Sequence, residues 1–160
     1  MQHQADISLR LSEEERHRRS DHDGPMRVIV IGAGFAGLSA AQSLSHMQVA
    51  LTVIDQRNHH LFQPLLYQVA TAGLSPTDIA TPIRSLFSGR RNVRVLLGQV
   101  TGVDTLAREV LLDEKRVPYD TLIVATGARH AYFGRDDWEK FAPGLKQIED
   151  ATSRPSAAAS

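Results

Sequence analysis

Gly32, Gly34 and Gly37, in the hexapeptide GAGFAG, have the residue type and spacing to hold a phosphate. A glycine has no Cβ, so an anion can approach its backbone N–H closely, and a helix that starts there adds unpaired N–H groups and a partial positive charge. Each of the three has a distinct task in such a turn. Gly32 permits the tight exit from a strand, Gly34 gives a pyrophosphate room, and Gly37 allows close packing of helix on sheet. Asp55 supplies a second kind of chemistry: a carboxylate at the end of the next apolar run can accept hydrogen bonds from ribose hydroxyls.

The surrounding elements must position these groups, and they have the order such a site requires. The run 26–31 (MRVIVI) is a continuous apolar strand leading into Gly32. Ala36, Ala40, Leu44 and Met47 then recur at helical spacing on one face. The run 50–54 (ALTVI) is a second strand, closed by Asp55. A glycine triplet alone carries little weight; strand, turn, helix, strand and acid in that order carry much more.

Further along, 56–60 (QRNHH) is a polar turn, and Pro64 suits the first turn of a helix through Tyr67, stopped near Gly73. Ser75, Pro76, Thr77 and Asp78 begin another helix, with Ile79, Ile83 and Leu86 on one face and Pro82 as an interruption. The segments 92–97, 99–104, 109–112 and the stretch near Val117 read together as a small antiparallel meander. A third buried-type strand, 121–125 (TLIVA), runs into Thr126 and Gly127. Strands flanking a helix, then a meander, then another apolar strand predict an α/β fold: a parallel sheet with an antiparallel β-meander excursion.

The 160 residues suffice for one domain with a sizeable core. Eighteen basic residues balance eighteen acidic ones, which argues against a broad nucleic-acid footprint. The absence of cysteine excludes disulfides, a thiolate nucleophile and a Cys-type zinc site. Apolar runs are far too short for a transmembrane helix. Residues 1–25 are polar, carry no secretory h-region and are too acidic for a typical transit peptide, so they read as a disordered polar extension. A weak helix start at Ser12 and the arginines 16, 18 and 19 fall within it. From Ala151 to Ser160 periodicity is lost, which predicts an unstructured tail. His59 and His60 point to opposite sides of an extended chain and have no carboxylate cluster beside them, nor does His130; they read as surface or loop residues rather than metal ligands. Tyr132, Phe133 and Trp138 could stack on a ring, but core or interface filling is the simpler role.

Two longer stretches carry a specific resemblance. The segments 61–73 (LFQPLLYQVATAG) and 125–134 (ATGARHAYFG), with the glycine turn and Asp55, closely resemble bacterial type II NADH dehydrogenase. That family comprises single-polypeptide NADH:quinone oxidoreductases with two dinucleotide-binding domains. The resemblance covers about 26 to 152 and implies a Rossmann-like FAD-binding domain over 26–150, incomplete at the C-terminus. It implies that Gly32, Gly34, Phe35, Ala36 and Gly37 form the FAD pyrophosphate turn, and that Asp55 meets the ribose, with Gln56 and Arg57 beside it. Gln63 and Pro64, by themselves only a helix start, match the loop beside the isoalloxazine ring. Val100 matches a position facing the adenine, and Ala125, Thr126 and Gly127 match a second FAD-contact turn. No general acid, base or nucleophile stands out, and flavin hydride chemistry requires none, since the cofactor carries it.

The resemblance further implies NADH and quinone as substrates of the whole enzyme, and a cytoplasmic location with peripheral attachment to the inner membrane. The family's second glycine-rich domain and its closing Gly-Asp segment have no counterpart in these 160 residues, so the chain alone is expected to be inactive and to need a complementary C-terminal fragment. Two alternatives stay open: a free-standing NAD(P)-binding module and a non-catalytic remnant.

Overall fold

A computed structural model describes residues 24–113, 115–128, 131–135, 137–138, 141, 144–146 and 148–152. The polar extension over 1–23, His130 and the tail 153–160 lie outside the described residues.

Strand β1 (Met26–Ile31) leads into helix α1 (Phe35–Leu44), and β2 (Val49–Asp55) follows, pairing parallel with β1 from Met26↔Val49 to Ile31↔Ile54. Strand β1 has no polar alternation because both of its faces are covered. Val28 and Val30 pack with Ala41, Leu51, Val53, Ile83 and Phe87. Ile29 and Ile31 pack on the other side with Ile54, Val110, Leu112 and Tyr119. Ile29, Leu51 and Ile54 are at most 1% exposed, and burying each side chain is worth about 1.5–3 kcal/mol.

The helix face differs from the expected one. Gly37 and Ala41 are buried, Ala36 is exposed, and Met47 lies beyond the helix end and is 58% exposed. The inward stripe runs through the buried Gly37 and Ala41 and the half-buried Leu44, because the short Gly37 lets this side of the helix sit directly on the turn.

The segment 56–60 is not wholly a turn. Strand β3 (His59–Leu61) pairs antiparallel with β4 (Ala80–Pro82). Between them lie a 3₁₀ turn (Gln63–Leu65), helix α2 (Leu66–Ala70) and a second 3₁₀ turn (Pro76–Asp78). Ser75 and Asp78 form the capping box, but the helix stops after one turn. Ile79 and Ile83 therefore serve different clusters: Ile79 packs with Leu66, Val69 and Ala151, and Ile83 starts helix α3 (Ile83–Leu86) over the main sheet.

Helix α2 ends in a Schellman turn. Ala72 N–H donates to Val69 O, and Gly73 N–H donates to Gln68 O at 2.7 Å. The left-handed position falls on Ala72 (φ 57°) rather than on Gly73. Ala72→Gly is therefore expected to stabilise the chain by about 0.5–1 kcal/mol, read as a higher urea midpoint at unchanged m.

Strand β5 (Val93–Leu97) leaves the expected meander and joins the main sheet, parallel to β2. The antiparallel meander consists of β6 (Val100–Asp104), β7 (Glu109–Leu112) and β8 (Lys115–Pro118), and it covers the second face of the sheet. Strand β9 (Thr121–Val124) returns beside β1, giving a four-stranded parallel sheet in the order β5-β2-β1-β9. Asp120 fixes this return. It accepts from the backbone N–H and from Nη2 of Arg27, each at 2.7 Å, and the side-chain hydrogen bond holds the Arg27 guanidinium above its ordinary pKa against a lowering by burial. Ala151 and Thr152, where loss of periodicity suggested a tail, belong to helix α4 (Ile148–Thr152), and Ala151 is buried against α2.

Candidate nucleotide-binding cleft

The strand order reverses direction at β1, with β2 and β5 on one side and β9 on the other. In open parallel sheets the crevice at the carboxyl ends of the strands beside such a switch point is where ligands bind. Here that crevice lies between Gly32, which follows β1, and Ala125, which follows β9. A cleft of about 430 Å³ opens there, and a second part of about 290 Å³ adjoins it.

The turn is built by steric fit. Gly32 adopts φ +95°, and a Cβ there would overlap the carbonyl of Ala125. A Cβ on Gly37 would overlap the carbonyl oxygen of Gly32 and approach Ala125 Cβ to 3.2 Å. Gly34 is different: a Cβ there would meet nothing within 4 Å. Gly32 and Gly37 thus lock turn, helix and β9 together, whereas Gly34 leaves open space beside the backbone. Gly34 is also the N-cap of α1, with no side-chain capping bond and no acid in the first turn of this ten-residue helix. An anion is the natural partner for such a helix end.

Asp55 ties this turn to β2. Its Oδ2 accepts from Ala33 N–H at 2.6 Å, and its Oδ1 accepts from Arg57 N–H at 2.8 Å. Each carboxylate oxygen keeps a further lone pair for a ligand hydroxyl. On the opposite wall, Gly127 (φ +73°) faces open space. Lys146 Nζ donates to Ala128 O, and Gln63 Nε2 donates to Lys146 O, both at 3.1 Å, so the segment before α4 borders the cleft.

Most of the sequence-predicted residues come together. Gly32, Gly34, Phe35 and Ala36 line the larger part with Asp55, Gln56 and Arg57. Gln63, Ala125, Thr126 and Gly127 line it from the other elements. Val100 lines the smaller part, which shares Gly32, Asp55 and Gln56 with the larger. Gly37 and Pro64 line neither part: Gly37 is buried under the turn, and Pro64 is exposed on its 3₁₀ turn. Lys146, His59 and Leu61 line the cleft without having been singled out for it. Lys146 reaches the site from 83 residues beyond Gln63, and no local pattern marks that contact. Among the described residues, no group of three His, Asp or Glu gathers as a metal site, and no helix is long and apolar enough to cross a membrane.

Known proteins share this sequence and fold. Residues 26–156 match the family model described as pyridine nucleotide-disulphide oxidoreductase. Two type II NADH:quinone oxidoreductases of Mycobacterium tuberculosis are 52% and 50% identical, over 80% and 78% of this chain. The chain spans just over a quarter, 28%, of the length of each. Among solved structures, NDH2 of Plasmodium falciparum, in complex with NADH, superposes with a TM-score of 0.69 at 25% identity, over 80% of this chain and 27% of its own. Sulfide:quinone oxidoreductase of Aquifex aeolicus shares the fold, with a TM-score of 0.67 at 22% identity, over 79% of this chain and 30% of its own. The chain belongs to the pyridine nucleotide-disulphide oxidoreductase family, and type II NADH:quinone oxidoreductases are among its homologues.

Proposed function

We propose that this chain is the FAD-binding portion of an NADH:quinone oxidoreductase. The observation that carries the reading is the open space at Gly34, at the uncapped start of α1 and in one cleft with Asp55 and the turn 125–127. These groups fit a dinucleotide. The first-turn N–H groups of α1 and the Gly34 backbone hold the pyrophosphate, and Asp55 accepts from the adenosine ribose. Val100 and the smaller part of the cleft, on the meander side of the sheet, receive the adenine. Gln63, on the far rim with Lys146 and Ala128, borders the place for the isoalloxazine ring. Bound there, the flavin supplies hydride acceptance from NADH and electron delivery to a quinone; the residues here bind it, orient it and narrow its access to water. A nicotinamide must lie in near-contact with the flavin for that chemistry, and the single glycine turn of this sequence seats one dinucleotide. On this reading the chain works together with an NADH-holding portion of the same enzyme.

Asp55→Ala tests the assignment. It removes charge-assisted hydrogen bonds to ribose, each worth about 1.5–3 kcal/mol, and releases the Ala33 N–H. FAD affinity is expected to fall about tenfold to a hundredfold, followed by flavin fluorescence. Unchanged affinity would show that Asp55 serves only the turn.

A further inference from the structure

His60 stands outside the cleft lining yet touches the turn that forms it. Its Nδ1 lies 2.9 Å from the carbonyl oxygen of Ala33. A carbonyl only accepts, so the ring carries its hydrogen on Nδ1. Phe35 meets the same imidazole edge-on, with ring centroids 5.3 Å apart, and Phe62 edges onto Phe35 at 5.5 Å. The antiparallel pairing of β3 with β4 holds His60 opposite Thr81. His59, its neighbour, turns the other way and lines the cleft.

We infer that His60 is a positioning residue for the phosphate-binding turn, an inference that rests on the dinucleotide reading above. All described peptide bonds are trans, and in a trans peptide the C=O and the following N–H point in opposite directions. Asp55 holds the peptide before Ala33 by its N–H, and His60 holds the peptide after Ala33 by its C=O. The second contact turns the carbonyl of Ala33 toward His60 and away from an incoming phosphate. The Gly34 N–H, on the same peptide plane, then points away from His60, to the cleft side. Without His60 this peptide is free to rotate, and a carbonyl dipole facing the phosphate opposes binding where an N–H supports it. Nothing between Gly32 and Gly37 supplies a side chain that could do this task, so it falls to a residue 27 positions away on another element.

The test compares FAD affinity in wild type, His60→Leu and His60→Asn. The asparagine Nδ2 stands the same number of bonds from the backbone as the histidine Nδ1, and it can donate to Ala33 O. His60→Leu is expected to weaken FAD binding about three- to tenfold, and His60→Asn to restore affinity to within about twofold of wild type. Amide hydrogen exchange without ligand gives a second readout: the Ala33 amide, which Asp55 protects, exchanges faster in His60→Leu and recovers in His60→Asn. Unaltered affinity and exchange in His60→Leu overturn this inference and leave the FAD reading intact. Equal loss in both variants, with lowered unfolding midpoints, also overturns it, since the ring is then packing only. A wild type that does not take up FAD overturns the FAD reading and this inference with it.

Discussion

Gly37→Ala is expected to destabilise the chain by about 3 kcal/mol or more, at the upper end of what an added methyl does in a packed site. The new Cβ would have to share the position of the Gly32 carbonyl oxygen, and Ala125 Cβ closes the other side. Backbone cannot yield as the end of a flexible side chain can, so turn, helix α1 and the β9 exit must separate. Small domains are stable by only about 5–15 kcal/mol, and the variant is expected to be partly unfolded at modest temperature. Chemical denaturation followed by circular dichroism measures this directly. A midpoint within error of wild type would show that the turn is looser than its geometry implies.

Gly34→Val, three residues earlier, is expected to do the opposite. A Cβ at Gly34 meets nothing, so the fold should lose no more than about 1 kcal/mol, mostly from a poorer N-cap. The valine would instead fill the space that a pyrophosphate needs. It would also displace hydrogen bonds to a charged group, worth about 1.5–3 kcal/mol each. FAD affinity is expected to fall at least about a hundredfold while the unfolding midpoint barely moves. The pair of variants separates two roles that one motif combines. If Gly34→Val lost stability and kept affinity, the phosphate would have to lie elsewhere.

The β1–α1–β2 unit was legible because its signals are local: a continuous apolar run, glycine spacing and a terminal acid within thirty residues. Asp55 and the turn 125–127 are legible as cleft-lining residues for the same reason, since each lies at the carboxyl end of an apolar strand. Strand β5 reads with the meander from sequence because alternation marks a strand and not its partners; Val93 and Val95 pack toward α1 and α3, which only the assembled sheet reveals. The single helical face expected for Ile79, Ile83 and Leu86 failed at β4, where pairing with His59–Leu61 outweighs helical spacing. Helix α1 turned its Gly37–Ala41 side inward because packing on the Gly32 carbonyl, a contact between turn and helix, decided its rotation. His60 and Lys146 reach the site through contacts 27 and 83 residues apart, for which the sequence offers no local mark.

One cleft is proposed to bind one FAD through the turn at 32–37, Asp55 and the turn at 125–127. Parallel titrations of the purified 160-residue chain with FAD and with NADH, each read by calorimetry and by the absorption spectrum, test it most directly. The expected result is saturable one-to-one uptake of FAD, a perturbed flavin spectrum that survives gel filtration, and no comparable uptake of NADH. Saturable binding of NADH with none of FAD would contradict it and make the chain a nicotinamide-dinucleotide module instead.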